Sequence, residues 1–228
     1  MDTKSLRTAA IVAGLGLLIM AILAPIAEFG ILPNLIVPGD GQATAENIRA
    51  SIGSFRVGIV LYLVVAILDV IVAWGLYSLL QPVNESLSLL AAWFRMVYAA
   101  IFVATQNNLS SVLSLLTERD TATQVHAQVM TSLNAFQSGW DLAIAVFSLH
   151  LVVLGYLVFR SDYFPRWLGF LVVVAGLGYL VDSFGAFLIP NYGLNIAAFT
   201  FFGEPLLIIW LLWRGVKGFD GALATEVE

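Results

Sequence analysis

The chain has 228 residues, of which 60% are hydrophobic and 11% are charged. A soluble domain has about 25% charged residues, so this composition excludes an ordinary soluble protein and indicates a membrane protein. The net charge is -5 and no Lys/Arg cluster is present, which argues against nucleic acid as a partner. The absence of cysteine excludes disulfides and Cys-ligated metals.

One membrane-spanning helix needs about 20 apolar residues. Runs of that kind occur, in chain order, at Leu6–Leu32, Phe55–Leu80, Ser88–Leu116, Gln137–Phe159, Pro165–Leu188 and Asn195–Trp213. They occupy most of the sequence. We therefore predict an all-α fold in which residues 1–228 form a single domain, a polytopic membrane bundle of six transmembrane helices in contact with lipid.

The first run follows Lys4 and Arg7, as the apolar segment of a signal peptide would. It is too long for such a segment and has no small-residue cleavage site, so we interpret it as a retained helix. Pro25 lies inside this run beside Glu28, and Pro205 lies inside the last run beside Glu204. Both prolines predict kinks that free backbone carbonyl groups.

Lysine and arginine residues are distributed unevenly between the ends of the predicted helices. The termini and the second and fourth loops contain Lys4, Arg7, Arg160, Arg166, Arg214 and Lys217. The first and third loops contain only Arg49 and Arg119. By the positive-inside rule both termini are expected to be cytoplasmic, in a bacterial cytoplasmic membrane.

The two longer outer loops, Pro33–Ser54 and Thr117–Phe136, have room for helical segments of their own. Apolar residues recur there at helical spacing, at Ile48, Ile52 and Phe55 and at Val125, Val129, Leu133 and Phe136. We expect these segments to lie on the membrane interface or to cap the bundle.

Ionisable residues occur within almost all of the apolar runs. They are Glu28, Asp69, Arg95, Asp141, His150, Asp182 and Glu204. A charge at the bilayer centre costs at least about 2.5–3.5 kcal/mol, so such residues normally face the bundle interior and have a partner. The pattern predicts a polar interior.

Asp69 and Arg95 lie on consecutive helices that are joined by a short inner loop. Counting back from that loop at about 1.5 Å per residue places them within one helical turn of each other in depth. We predict a structural ion pair between them.

The remaining acids lie toward the outer leaflet, with Glu204 about 14 Å below the outer face and Asp182 about 5 Å shallower. Together with Asp141, Glu28, His150 and Arg56 they are the candidate ligand- or proton-binding residues. Two such carboxyl groups require a shared cation or a bound proton, unless Arg56 neutralises them permanently. Asp141 and His150 are nine positions apart and point to opposite sides of their helix.

Three classes of function remain open. The first is an outer-leaflet acidic cavity that binds or transports a small cation, a proton or an amine-bearing ligand. The second is an intramembrane, metal-assisted enzyme that acts on lipid, although HExxH, GxSxG and multi-histidine patterns are missing from the sequence. The third is a structural or sensory component. The sequence leaves open whether the protein is an enzyme, its metal or cofactor, and its oligomeric state.

Three C-terminal stretches resemble an uncharacterised bacterial multi-pass membrane protein family that is defined only as a domain of unknown function. They are residues 149–157, residues 164–180 with the motif Phe164-Pro165-Arg166-Trp167, and residues 203–211 with the motif Gly203-Glu204-Pro205. The resemblance implies six helices and no particular activity.

Overall fold

The structure is a computed structural model that describes residues 3–117, 123–190 and 192–219. Arg119 lies outside the described residues. Within those ranges every regular element is helical. The helices are α1 (Thr3–Pro25), α2 (Gly41–Ala50), α3 (Ile52–Leu80), α4 (Glu85–Thr117), α5 (Thr123–Arg160), α6 (Arg166–Leu188), α7 (Ala197–Thr200) and α8 (Gly203–Lys217), with a π-helix at Ile26–Ile31 and a 3-10 turn at Leu32–Asn34.

Six helical segments in the described part of the chain are long and apolar enough to cross a membrane. They are Lys4–Asn34, Ile52–Leu80, Glu85–Thr117, Gln124–Arg160, Arg166–Leu188 and Ala197–Lys217. The predicted all-α, six-span architecture is confirmed, and the chain is a multi-pass integral membrane protein.

The helix that contains the fourth predicted span begins earlier than the predicted start at Gln137, because α5 is 38 residues long and begins at Thr123. Val125, Val129 and Leu133 form a buried stripe on this extension, so the helical spacing in the predicted loop belongs to α5 itself. The other predicted helical segment exists as α2, where Ile48 is fully buried.

The chain divides into two compact units. The first unit comprises Met1–Leu18, Leu68–Ala99 and Asp141–Glu228, and the second comprises Ile19–Ile67 and Ala100–Trp140.

In the first unit, glycines bring α5 and α6 close together. A Cβ at Gly155 would lie 2.6 Å from the Val173 nitrogen, and a Cβ at Gly176 would lie 2.8 Å from the Ser148 carbonyl oxygen. Any larger residue would force the two backbones apart, so these glycines fix the separation of the helices.

In the second unit, α1 changes its winding at Pro25. The residues that follow form a π-helix over Ile26–Ile31, in which the Leu32 N–H donates to the Ala27 carbonyl. Proline removes one backbone N–H donor and crowds the preceding turn. Both effects are known to disturb the regular winding of an α-helix. Glu28 lies within this π-helix.

The last span is broken, as α7 ends at Thr200 and α8 begins at Gly203. From the sequence, Pro205 is expected to kink a continuous helix beside Glu204, but the break precedes both residues. Pro205 falls in the first turn of α8, where backbone N–H groups lack intrahelical partners and proline costs little. Glu204 therefore occupies the N-terminal turn of a helix.

Candidate functional site

A buried ion pair joins α3 to α4 in the first unit. Arg95 Nη2 lies 2.6 Å from Asp69 Oδ1, and the two side chains are 2% and 0% exposed. This pair is predicted from the equal depth of the two residues on either side of a short hairpin loop. Because both charges are withdrawn from solvent, removing either would leave the other uncompensated.

His150 on α5 extends the ion pair. Its Nδ1 lies 2.8 Å from the Ala91 carbonyl oxygen, and its Nε2 lies 3.2 Å from Arg95 Nη1. A carbonyl oxygen only accepts hydrogen bonds, so Nδ1 carries the proton; the guanidinium only donates, so Nε2 is the acceptor. This assignment makes the imidazole neutral. Phe147 stacks on the His150 ring, with centroids 5.7 Å apart.

Glu204 and two tyrosines complete the group. The Tyr179 hydroxyl on α6 hydrogen bonds to Glu204, and Glu204 also interacts electrostatically with Arg95 and Asp69. Tyr98 on α4 is buried and interacts electrostatically with these charged residues. We refer to the following six residues as the Arg95 cluster: Asp69, Arg95, Tyr98, His150, Tyr179 and Glu204.

The Arg95 cluster combines two carboxyl groups with one guanidinium. Asp69 takes the ion pair with Arg95 directly. His150 contributes no charge in the tautomer described above, and the tyrosine hydroxyls are neutral donors. Glu204 is thus the second acid beside a single cation, held by a neutral phenol.

Asp182 has a separate role from Glu204. Its Oδ1 accepts hydrogen bonds from the Tyr192 hydroxyl at 2.7 Å and from the Ile196 N–H at 3.0 Å, and its Oδ2 accepts from the Ala197 N–H at 2.7 Å. The hydrogen bond to Asp182 raises the pKa of Tyr192 above its ordinary value. Both oxygens of Asp182 accept hydrogen bonds at the start of α7, and the sharing of one cation or proton between Asp182 and Glu204 stays a prediction.

Glu28 lies in the second unit, where Tyr62 on α3 donates a hydrogen bond from its hydroxyl to Glu28 Oε2. The Tyr62 ring contacts three other rings, and we call the four together the aromatic cluster: Tyr62, Phe102, Phe136 and Trp140. Phe102 and Gln106 are both buried and lie one helical turn apart on the same face of α4.

The other two candidate residues are less buried. Arg56 is exposed on α3 and, within the described part of the chain, forms no ion pair with an acid. The alternative in which Arg56 neutralises the acids therefore gains no support from an ion pair among the described residues. Asp141 is half-buried on α5.

A cavity of about 410 Å³ lies between the C-terminal end of α4 and the N-terminal end of α5. Its lining residues are Ser111, Ser114, Leu115, Gln128, Thr131 and Ser132. Apart from Leu115, these residues carry hydroxyl or amide groups, and none of them is an acid, so this cavity differs from the predicted acidic cavity. Among the described residues, no group of three or more His, Cys, Asp or Glu side chains could hold a metal ion.

Sequence reasoning missed the tyrosines of both groups. Tyr98 lies one helical turn from Arg95, and Tyr179 lies one turn from Asp182. This spacing could have drawn attention to them as neighbours of ionisable residues. The partner of Tyr62 could not have been found in this way, because Glu28 lies on a different helix.

The sequence matches a known protein family. A family model described as a domain of unknown function, DUF4386, matches residues 12–215. The chain belongs to this family. The match spans the Arg95 cluster, Asp182 and the Glu28 region, and the resemblance that the C-terminal motifs indicate is confirmed.

A similar protein from Archaeoglobus fulgidus, described as an uncharacterized protein, is 39% identical over 171 residues, which cover 75% of this chain and 89% of the relative. No solved structure matches the chain.

Proposed function

We propose that this protein binds and releases a proton at Glu204 and uses that step to carry protons across a prokaryotic cytoplasmic membrane. One observation carries the proposal: Asp69 and Glu204 are two carboxyl groups beside one guanidinium, and Asp69 already occupies it at 2.6 Å.

Opposing influences act on the charge of Glu204. The Tyr179 hydroxyl donates to it, Arg95 attracts it, and the N-terminus of α8 favours a negative charge in its first turn. The apolar surroundings and the negative charge of Asp69 favour the neutral acid. A proton carrier needs this balance, because both forms must be accessible.

The broken last span supports transport over a purely structural role. Transporters place binding groups at discontinuous helices, whose freed N-termini point at charged groups within the membrane. Glu204 occupies such a position, in the first turn of α8 after the interruption at residues 201–202. A structural cluster would have no need of a helix end at this point.

Infrared difference spectroscopy of the full chain at varied pH tests the proposal directly. The wild-type protein should show a carboxyl protonation band that Glu204→Gln loses. Glu85→Gln is the matched control, since Glu85 is an exposed acid on α4 of the same unit. An identical band in wild-type and Glu204→Gln protein would overturn proton binding at Glu204.

Reconstitution tests the transport step. Vesicles containing the protein and a pH-sensitive dye should acidify under an imposed membrane potential, and Glu204→Gln should abolish that acidification while Glu85→Gln retains it. Equal proton entry with both variants would refute the role in transport. Loss of thermal stability in Glu204→Gln without any change in the carboxyl band would instead favour a structural cluster.

A further inference from the structure

The second unit contains a carboxylate whose environment is not explained by the proton site in the first unit. Glu28 is half-buried in the first span, and Tyr62 donates a hydrogen bond to its Oε2. Its Oε1 accepts no hydrogen bond from the described residues. An acid within an apolar span requires a proton or a cation, and a phenol hydroxyl supplies only a neutral donor.

The backbone at Glu28 is also unusual. Pro25 is followed by the π-helix Ile26–Ile31, closed by the Leu32 N–H and the Ala27 carbonyl. A π-helix shifts the side chains after it around the helix axis relative to the preceding α-helix. Such insertions are often found at functional sites, and this one carries the acid.

The surroundings of Tyr62 are aromatic. Its ring centroid lies 5.4 Å from that of Phe102, 5.7 Å from that of Phe136 and 6.3 Å from that of Trp140. Tyr62 and Phe102 are buried, whereas Trp140 is half-buried. Organic cations are attracted to aromatic faces, most strongly to tryptophan.

A buried polar group lies beside these rings. Gln106 is 6% exposed, and its Nε2 has no hydrogen-bond partner among the described residues. It lies one turn after Phe102 on the same face of α4, and Phe102 contacts both Tyr62 and Trp140. A buried amide donor without an acceptor is costly, so a ligand that offers an acceptor oxygen would satisfy it.

We infer that Glu28, Trp140 and Gln106 bind an organic ammonium compound that also carries a hydrogen-bond acceptor. The ammonium group would lie between the Glu28 carboxylate and the tryptophan face, and the acceptor would face the Gln106 amide. The site lies entirely within the second unit, so it does not depend on the Arg95 cluster.

Choline is the probe, because it combines a quaternary ammonium with a hydroxyl oxygen. Its neutral carbon isostere, dimethylbutanol, has the same shape without the charge. Isothermal titration calorimetry on the purified full chain should show saturable choline binding that is at least about tenfold tighter than binding of the isostere. Equal binding of the two compounds, or no saturable choline binding, would overturn the inference without any variant.

Variants locate the site. Glu28→Gln and Trp140→Leu should each weaken choline binding about tenfold or more. Glu46→Gln, an exposed acid on α2 of the same unit, is the matched control and should bind as the wild type does. Unchanged choline binding in Glu28→Gln would refute the site. Glu204→Gln should leave choline binding intact, so failure of the proton proposal and failure of this one are distinguishable.

Discussion

His150 accepts a hydrogen bond from Arg95, with 3.2 Å between Nε2 and Nη1, because its Nδ1 proton is committed to the Ala91 carbonyl. A histidine beside an arginine would normally be expected to repel it electrostatically. Here the neutral tautomer turns it into an acceptor that holds the guanidinium against Asp69. The histidine thus positions Arg95 rather than adding a second positive charge.

Replacing His150 by leucine should destabilise the protein by about 1–3 kcal/mol, because the variant leaves a buried donor of Arg95 unsatisfied. His150→Gln keeps an acceptor and should recover part of the loss. Thermal unfolding in detergent measures both. Equal stability of the leucine variant and the wild type would contradict the assigned hydrogen bond.

The second prediction concerns the ion pair between Asp69 and Arg95. Arg95→Gln should cost about 3–5 kcal/mol, because it leaves Asp69 buried without its cation. Adding Asp69→Asn to that variant should restore much of the stability, since the uncompensated charge is removed. The comparison of single and double variants by thermal unfolding isolates the coupling; additive losses would show that the two residues do not depend on each other.

The third prediction concerns the close packing of α5 against α6. Gly176→Ala should destabilise the protein by about 1–3 kcal/mol, because the new Cβ would lie 2.8 Å from the Ser148 carbonyl oxygen. Gly53→Ala is the matched control, as nothing lies within 4 Å of a Cβ at that position. The control should be neutral or slightly stabilising, because alanine favours a helix over glycine. Unfolding midpoints that move equally would contradict this account.

The orientation in the membrane makes a fourth prediction. The excess of lysine and arginine at the termini and in the second and fourth loops predicts that both termini lie in the cytoplasm. A reporter that is active only in the cytoplasm should therefore work when fused after Glu228, and should fail when inserted after Gly39, in the segment between the first two spans. Activity of the Gly39 fusion with a silent C-terminal fusion would invert the topology.

The sequence predicts those features that depend on one helix or one short hairpin. The spans follow from apolar length, and the Asp69–Arg95 contact follows from equal depth on either side of a short loop. The electrostatic interaction of Glu204 with Arg95 depends on how α8 is rotated about its axis and on the residue at which α8 begins. Neither quantity can be read from apolar length.

Two other features could not be predicted from the periodicity of the sequence. Asp182 caps α7 because the chain between α6 and α7 folds back over it, and the path of an irregular segment has no periodic signal. The π-helix after Pro25 depends on the local balance between a missing donor and crowded backbone atoms. The sequence indicates a kink there, but not its winding.

The last prediction concerns the pKa of Tyr192. Its hydroxyl donates to Asp182 at 2.7 Å, and this bond raises its pKa above the ordinary tyrosine value of about 10. A group with a raised pKa in the folded protein contributes stability below its ordinary value and loses it as the pH rises through the folded value. The bond should therefore persist throughout the neutral range. The tyrosinate absorbance that Tyr192→Phe removes should accordingly appear only at pH values above that ordinary value. Asp182→Asn keeps the shape of the acceptor without its charge and should move this titration back toward the ordinary range. Titration of Tyr192 at the ordinary value in the wild type would contradict the hydrogen bond, and the start of α7 would then depend on the Ile196 and Ala197 amides alone.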